Sequence, residues 1–267
     1  MILKILNAVV SGVAQGSMIA LVALGYTMVY GILKLINFAH SEVFMMGAFF
    51  GLFLTAGFAV DGGPVFAGVA GTLGAMVLAG GLGVLVEKTA YAPLRARSGG
   101  RANTNTRITP LVTALGMSVL LQNLAQLLFT TQYRSYPQIL PIENARTIVF
   151  VVAVVVMVAL QGLVYGTWFG KAMRAVSVNM EAARLMGIRT NRVIAMTFVT
   201  GSMLAALGAV LFSLSLSQVY PLMGVGIGTR SFVAAVIGGI GNIPGAVLGG
   251  VLIGVIGELT KLTPYSG

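Results

Sequence analysis

Cysteine is absent from the 267 residues, and there is a single histidine, His40. The first absence excludes a disulfide framework and any thiolate metal site; the second excludes a multi-histidine metal centre. Charge is scarce too, at 8% of residues against about 25% in an ordinary soluble domain. So few charges cannot cover the surface of a water-soluble fold of this length. No G-x-x-x-x-G-K-[S/T] run occurs: Gly170-Lys171 lacks both the earlier glycine and the following Ser or Thr. A phosphate-cradling loop, and with it nucleotide hydrolysis, is therefore missing from the chain. Nor do paired carboxylates, or a nucleophile–His–acid set, offer an enzyme site.

What the chain has in abundance is apolar sequence, 57% of it, in long runs almost free of charge. About 20 apolar residues cross a bilayer core. The chain therefore reads as an all-α, polytopic integral membrane helical bundle, a single transmembrane domain over 1–267. The first run is too long, and too little basic at its start, for a cleaved signal peptide. Spans read at 6–30, 43–59, 65–86, about 108–130, about 148–169 and about 193–216, with Trp168 an interfacial aromatic at the end of the fifth. A seventh block, 231–257, carries no charge but is interrupted by Gly239, Gly241, Asn242, Pro244 and Gly245. It is too long for one ideal span and too short for two, which predicts a broken or re-entrant helix.

The basic residues give the orientation. Lys88, Arg95, Arg97, Arg101 and Arg107 fall in 87–107; Lys171, Arg174, Arg184, Arg189 and Arg192 fall in 171–192. Cytoplasmic loops are rich in Lys and Arg, so both segments are expected inside, with two spans between them. The net charge of +10 is then a topology signal and no pointer to nucleic acid. The N-terminus is left open. It lies outside if the first three runs all span, and inside if 32–59 enters and leaves from one side.

The second basic segment contains "VSVNMEAARLMGIRTNR" (176–192), too charged to sit in lipid. Asn179 is a good N-cap, Glu181 occupies the first turn, and Gly187 is a plausible stop. Glu181 and Arg184 are spaced to pair, with Ala182, Leu185 and Met186 opposite. A helix of about two turns cannot stand alone. It must dock on something.

Here the sequence resembles a known family. "EAARLMG" (181–187) is similar to the EAA-x-x-x-G core of the cytoplasmic loop in permease subunits of ATP-driven importers; the Ile-x-Leu-Pro ending of the fuller motif is missing. "NAVVSGVAQGSMIALVALGYTMVYGILKLINFAHSEVFMMGAF" (7–49), "EKTAYAPLR" (87–95), "PLVTALGMSVLLQN" (110–123), "GIRTNRVIAMTF" (187–198) and "FVAAVIGGIGNIPGAVLGG" (232–250) resemble the branched-chain amino acid permeases in the same order. The likeness is greatest to the first of the two permeases such importers use. It implies a multi-pass protein of the bacterial or archaeal plasma (inner) membrane, with eight spans in a complete member, one beyond "LTPYSG". It implies two ATPase subunits that bind ATP and magnesium, a second related permease, an extracytoplasmic substrate-binding protein and surrounding lipids. No cofactor or metal is expected in this chain. The implied coupling helix is 179–187, through Asn179, Glu181, Ala182, Ala183 and Gly187. The implied cargo is leucine, isoleucine or valine, with urea, short amides or other amino acids carried by close relatives. Ser41 replaces the family's usual glycine before Glu42, and would be strained if that backbone needs a positive φ. The segment 97–107 is longer and more polar than the family pattern.

Polar residues within spans are costly and face a cavity or a partner. Asn37, His40 and Glu42, three in six residues, are candidates for the translocation path together with Asn242; Gly241, Pro244 and Gly245 mark the broken helix. Gln122, Asn123 and Gln126 read as ties between helices. Gly12/Gly16, Gly47/Gly51 and Gly241/Gly245/Gly249 have the spacing of close helix packing. "GSMIAL" (16–21) and "GSMLAAL" (201–207) hint at an internal repeat. A rival reading is an ion-coupled secondary transporter using Glu42 or His40 as proton carrier and the Gly241–Gly245 break as ion site; it has no use for a docking helix.

Overall fold

The computed structural model describes residues 2–97, 105–129, 131–139 and 142–262. The helices are α1 (Ile2–Leu33), α2 (His40–Val86), α3 (Ala92–Arg97), α4 (Asn105–Leu128), α5 (Ile142–Gly166), α6 (Trp168–Val178), α7 (Met180–Leu185), α8 (Thr190–Leu216), α9 (Met223–Ile237) and α10 (Ile243–Thr260). A two-residue strand, β1 (Arg134–Ser135), pairs antiparallel with β2 (Gln218–Val219). Among the described residues, seven helical stretches are long and apolar enough to cross a membrane, and the chain is a multi-pass helical bundle. α2 supplies two of them. Gly63, at φ 73° and ψ 166°, breaks it ahead of Pro64, a backbone that glycine reaches without a Cβ penalty.

The block 231–257 is indeed broken, into the second half of one helix and most of the next. α10 is long enough to cross, and α9 is a shorter apolar helix of 15 residues. Counting charge-free residues starts the block at Ser231, whereas α9 starts at Met223 and carries Arg230 in its middle. The turn between the two helices uses Gly239 and Gly241 at φ 84° and 96°. Pro244 sits in the first turn of α10, where its missing N–H costs nothing. Two other expectations shift. Trp168 opens α6 after Thr167 caps it, rather than closing the fifth span. Residues 87–97 are helical, as a π-helical turn (Glu87–Tyr91) and then α3, with buried Glu87 paired to Arg95; residues 98–104 lie outside the described residues.

α1, α8 and the first half of α2 form the centre, where Leu21, Leu24, Phe44, Phe49, Ala205 and Val210 are buried. α4, α5 and the second half of α2 present Val119, Val155, Leu73 and Val77 outward, as lipid-facing spans do. Small residues set the closest approaches. A Cβ on Gly12 or Gly16 would stand 2.6 Å from Val255 Cα or Val251 Cα, and one on Gly47 would stand 2.7 Å from Ala206 Cα. α1 and α10 thus run antiparallel in backbone contact, while the first half of α2 runs parallel to α8, Gly47 against Ala206 and Gly51 against Val210.

The ends of the bundle differ. At one end the C-terminal ends of α1 and α5 meet α6 and the α9–α10 turn around a cavity of about 130 Å³, lined in part by Lys34, Val164, Arg174 and Gly241. At the other end lies the β1–β2 pair. α1 runs antiparallel to α8, Gly25 against Gly201 and Leu21 and Val22 against Gly208, so the start of α1 lies at the strand end, opposite α6 and α7. The strand end is tied down by Tyr136, whose N–H donates to Ser217 O (3.0 Å) and whose hydroxyl meets Thr55 Oγ1 (3.3 Å). Burial pushes the Tyr136 phenol up to about 12, against a smaller opposing effect of the Thr55 hydrogen bond, so it stays protonated at neutral pH. Replacing Tyr136 with phenylalanine is expected to cost about 1 kcal/mol, read as a fall of a few degrees in the detergent melting temperature with transport retained.

Candidate functional site

Two places combine polar chemistry with an unusual backbone. The first is a buried junction where α2 begins. After α1 ends, Lys34 adopts φ 54° and the chain folds back before His40 opens α2. His40 Nε2 packs against Gly25, eight residues before the end of α1, or about 12 Å inside it. α2 therefore starts deep in the bundle. Its first turn is held by Asn37 O accepting from His40 N (3.1 Å) and Ala39 O accepting from Glu42 N (3.1 Å). Irregular backbone at this depth is tolerated because protein surrounds it.

Each polar side chain here reaches a different helix. Asn37 Oδ1 accepts from Tyr91 Oη at 2.9 Å. The His40 ring packs edge-on against Tyr26, with centroids 4.7 Å apart. Glu42 Oε1 accepts three bonds: from Gln122 Nε2 (2.9 Å), Ser118 Oγ (3.2 Å) and Ser41 Oγ (3.2 Å). Ser118 and Gln122 are one turn apart on α4, so both donors face the same carboxylate. Glu42 Oε2 and His40 Nε2 are buried and have no hydrogen-bond partner among the described residues. α9 closes the junction through two glycines. A Cβ on Gly224 would stand 3.0 Å from Glu42 Oε2, and Gly228 packs on Ser41 Cβ.

The junction unites Asn37, His40 and Glu42, and leaves Asn242 out. Asn242 is exposed at the N-terminus of α10, beside Gly241, which faces Gly31 rather than Gly25. Gln122 belongs to the site as well as tying helices. Asn123 bonds Val119 O within its own helix. Ser118, Tyr91 and Tyr26 escaped sequence reading; only the Ser118–Gln122 spacing could have flagged one of them. Ser41 is helical, and its φ is not positive. Its hydroxyl donates to Phe38 O (2.8 Å), so serine adds a bond there instead of strain. Chemically, the junction offers a carboxylate with one satisfied oxygen and one bare oxygen. The bare oxygen can take a proton or an ammonium group.

The second place is α7. Asn179 Oδ1 accepts from Glu181 N and Ala182 N, both at 3.0 Å. At the far end Gly187, at φ 83°, donates to Arg184 O (3.0 Å) while Ile188 N donates to Ala183 O (3.0 Å). That pair of bonds is a Schellman stop, which favours glycine at this position. Ala183 is buried. Leu185 and the C-cap Met186 are 88% and 83% exposed, so the apolar side of α7 faces away from its own bundle, as does Val178 at the end of α6. Glu181 and Arg184 form no ion pair; those among the described residues are Glu87–Arg95 and Glu258–Lys261.

Residues 8–266 match a protein family described as branched-chain amino acid transport system / permease component. The chain is 39% identical over 267 residues to the high-affinity branched-chain amino acid transport system permease protein BraD of Pseudomonas aeruginosa, covering 94% of this chain and 84% of that one. It is 35% identical over 276 residues to the corresponding permease LivH of Escherichia coli K12, covering 97% and 87%. It is 27% identical over 255 residues to the probable branched-chain amino acid transport permease LivH of Methanocaldococcus jannaschii, covering 91% and 77%. No solved structure matches.

Proposed function

Because the chain belongs to the branched-chain amino acid transport permease family, we propose that it is the membrane-spanning permease of an ATP-driven importer of leucine, isoleucine and valine. It is a multi-pass protein of the plasma membrane. The observation that carries the coupling mechanism is α7: a helix capped at both ends, too short to be stable alone, with Leu185 and the C-cap Met186 turned outward. Two ATPase subunits hydrolyse ATP; one seats α7 in a cleft, with Asn179, Glu181, Ala182, Ala183 and Gly187 fixing its shape. The end bearing α6 and α7 is cytoplasmic, in keeping with its basic residues. A second permease completes the path, and an extracytoplasmic binding protein delivers substrate at the strand end. Asn37, His40 and Glu42 form the gate of that path, with the Gly241–Gly245 turn as a flexing point.

The test is reconstitution with the neighbouring subunits. Leucine uptake is expected to require ATP; uptake that follows a proton gradient with no ATPase attached would sink the importer reading. Leu185→Asp with Met186→Asp is expected to leave membrane insertion intact and to weaken ATPase copurification at least a hundredfold, since burying each apolar side chain contributes about 1.5 to 3 kcal/mol. Gly187→Val, forced to positive φ, should weaken it less, and Glu181→Lys less again. Unchanged copurification in all three would remove the docking role.

A further inference from the structure

Arg230 stands at an improbable place. α9 buries one face, including Gly224, Ile227, Gly228, Ser231 and Ala235. Its other face, through Val225, Gly226, Thr229, Arg230, Val233 and Val236, is exposed. The two sets alternate at helical spacing, so the exposed face is continuous. Its depth follows from the neighbouring helix. Gly238 packs on the Gly245 carbonyl and Gly249 on the Ala234 carbonyl, so α9 and α10 run antiparallel and Arg230 is level with about Ile253. That is the middle of α10, beside Gly254, which packs on Gly12 and Gly16 of α1. Arg230 is therefore an exposed cation near mid-bilayer. Among the described residues it makes no hydrogen bond, and the ion pairs there are Arg95–Glu87 and Lys261–Glu258.

Lipid is the wrong neighbour for this face, since an arginine at mid-bilayer costs at least about 2.5 to 3.5 kcal/mol and such residues face a protein interior or a water-filled cavity. The surroundings suit a small solute. Gly226 leaves room one turn away, Thr229 has its hydroxyl turned back to Val225 O (2.8 Å), and Val225 and Val233 supply apolar walls. A guanidinium presents its donors in a planar fork that matches a carboxylate. We propose that the exposed face of α9 lines the translocation path and that Arg230 takes the carboxylate of the amino acid in transit. This rests on the importer reading, in which the second permease closes the other side.

The absence of cysteine makes the test clean. Arg230→Cys is prepared in the assembled transporter, with its partner subunits also freed of cysteine, and reconstituted in vesicles. Water-soluble methanethiosulfonates are expected to label Cys at 230. Leucine uptake is expected to fall about tenfold or more, the worth of one charge-assisted hydrogen bond. A 2-aminoethyl reagent, which restores the positive charge, should recover several-fold of that loss, and a neutral methyl reagent should not. Absence of labelling, labelling without loss of uptake, or equal recovery by both reagents would overturn the proposal. So would release of the second permease from the variant complex, which would identify Arg230 as half of an interchain ion pair. Wild-type vesicles separate the two readings: ATP-independent uptake there defeats the importer, while labelling at 230 still reports whether α9 faces water.

Discussion

Replacing Gly254 with leucine is expected to prevent recovery of the folded protein from detergent extracts, whereas Gly257→Leu on the same helix is expected to behave as wild type. Gly254 lies against Gly12 O and Gly16 Cα of α1, inside any distance that a side chain tolerates, while a Cβ on Gly257 meets nothing within 4 Å. Within a membrane, no hydrophobic effect drives helices together; close van der Waals packing does most of that work. α1 and α10 achieve it over a long seam, because a Cβ on Gly12, Gly16 or Gly250 would stand 2.6, 2.6 and 2.7 Å from backbone of the opposite helix. Overpacking a well-filled core costs about 1 to 3 kcal/mol, and a backbone seam cannot yield as a flexible side chain does. Leucine at 254 must therefore separate the two helices along several turns. Size-exclusion recovery and melting temperature of the two variants decide it. Equal behaviour would show that α1 and α10 do not meet as described.

The spans and the short capped helix were legible in the sequence because each depends on local signals. Charge-free runs locate lipid-crossing helices, and Asn179 and Gly187 bracket α7 by the chemistry of helix ends. The glycine pairs Gly12/Gly16 and Gly47/Gly51 were legible as packing sites, although not their partners. What stayed hidden depends on three-dimensional neighbours. Ser118 is an ordinary helix residue until α4 places it beside Glu42. A charge-free block can begin only after Arg230, so α9 lost its first half; the helix carries the charge on one exposed face. Asn242, like Asn37, is an asparagine in an apolar setting, yet the turn holding it sits at the basic end of the bundle. The depth at which α2 begins could not be read at all, because nothing in "KLINFAH" says that the chain folds back along α1.

Glu42→Ala and Glu42→Gln are expected to fail in different ways. Alanine removes the acceptor of Gln122, Ser118 and Ser41 at once. Ser41 retains Phe38 O, and a serine on a helix can turn back to its own backbone, but the Gln122 amide is left without its partner across the helix interface. A buried donor stranded in this way costs about 1 to 3 kcal/mol, and the void left by the side chain adds to that. A loss of about 2 to 4 kcal/mol is expected for Glu42→Ala, read as a lowered melting temperature. Glutamine keeps the accepting oxygen and nearly the same volume, so Glu42→Gln should stay within about 1 kcal/mol of wild type. Its amide nitrogen then occupies the place of Oε2, the oxygen beside Gly224 that has no partner among the described residues. If that oxygen receives the ammonium group of the substrate when α9 moves aside, Glu42→Gln loses uptake at least tenfold while remaining folded and bound to its ATPases, because an amide cannot offer a charge-assisted bond there. The double variant Glu42→Leu with Gln122→Leu serves as the control for stability. It removes donor and acceptor together and should recover most of the melting temperature lost in Glu42→Ala, yet transport no better than Glu42→Gln. Wild-type uptake in Glu42→Gln would make the carboxylate a tie between α2 and α4 and nothing more.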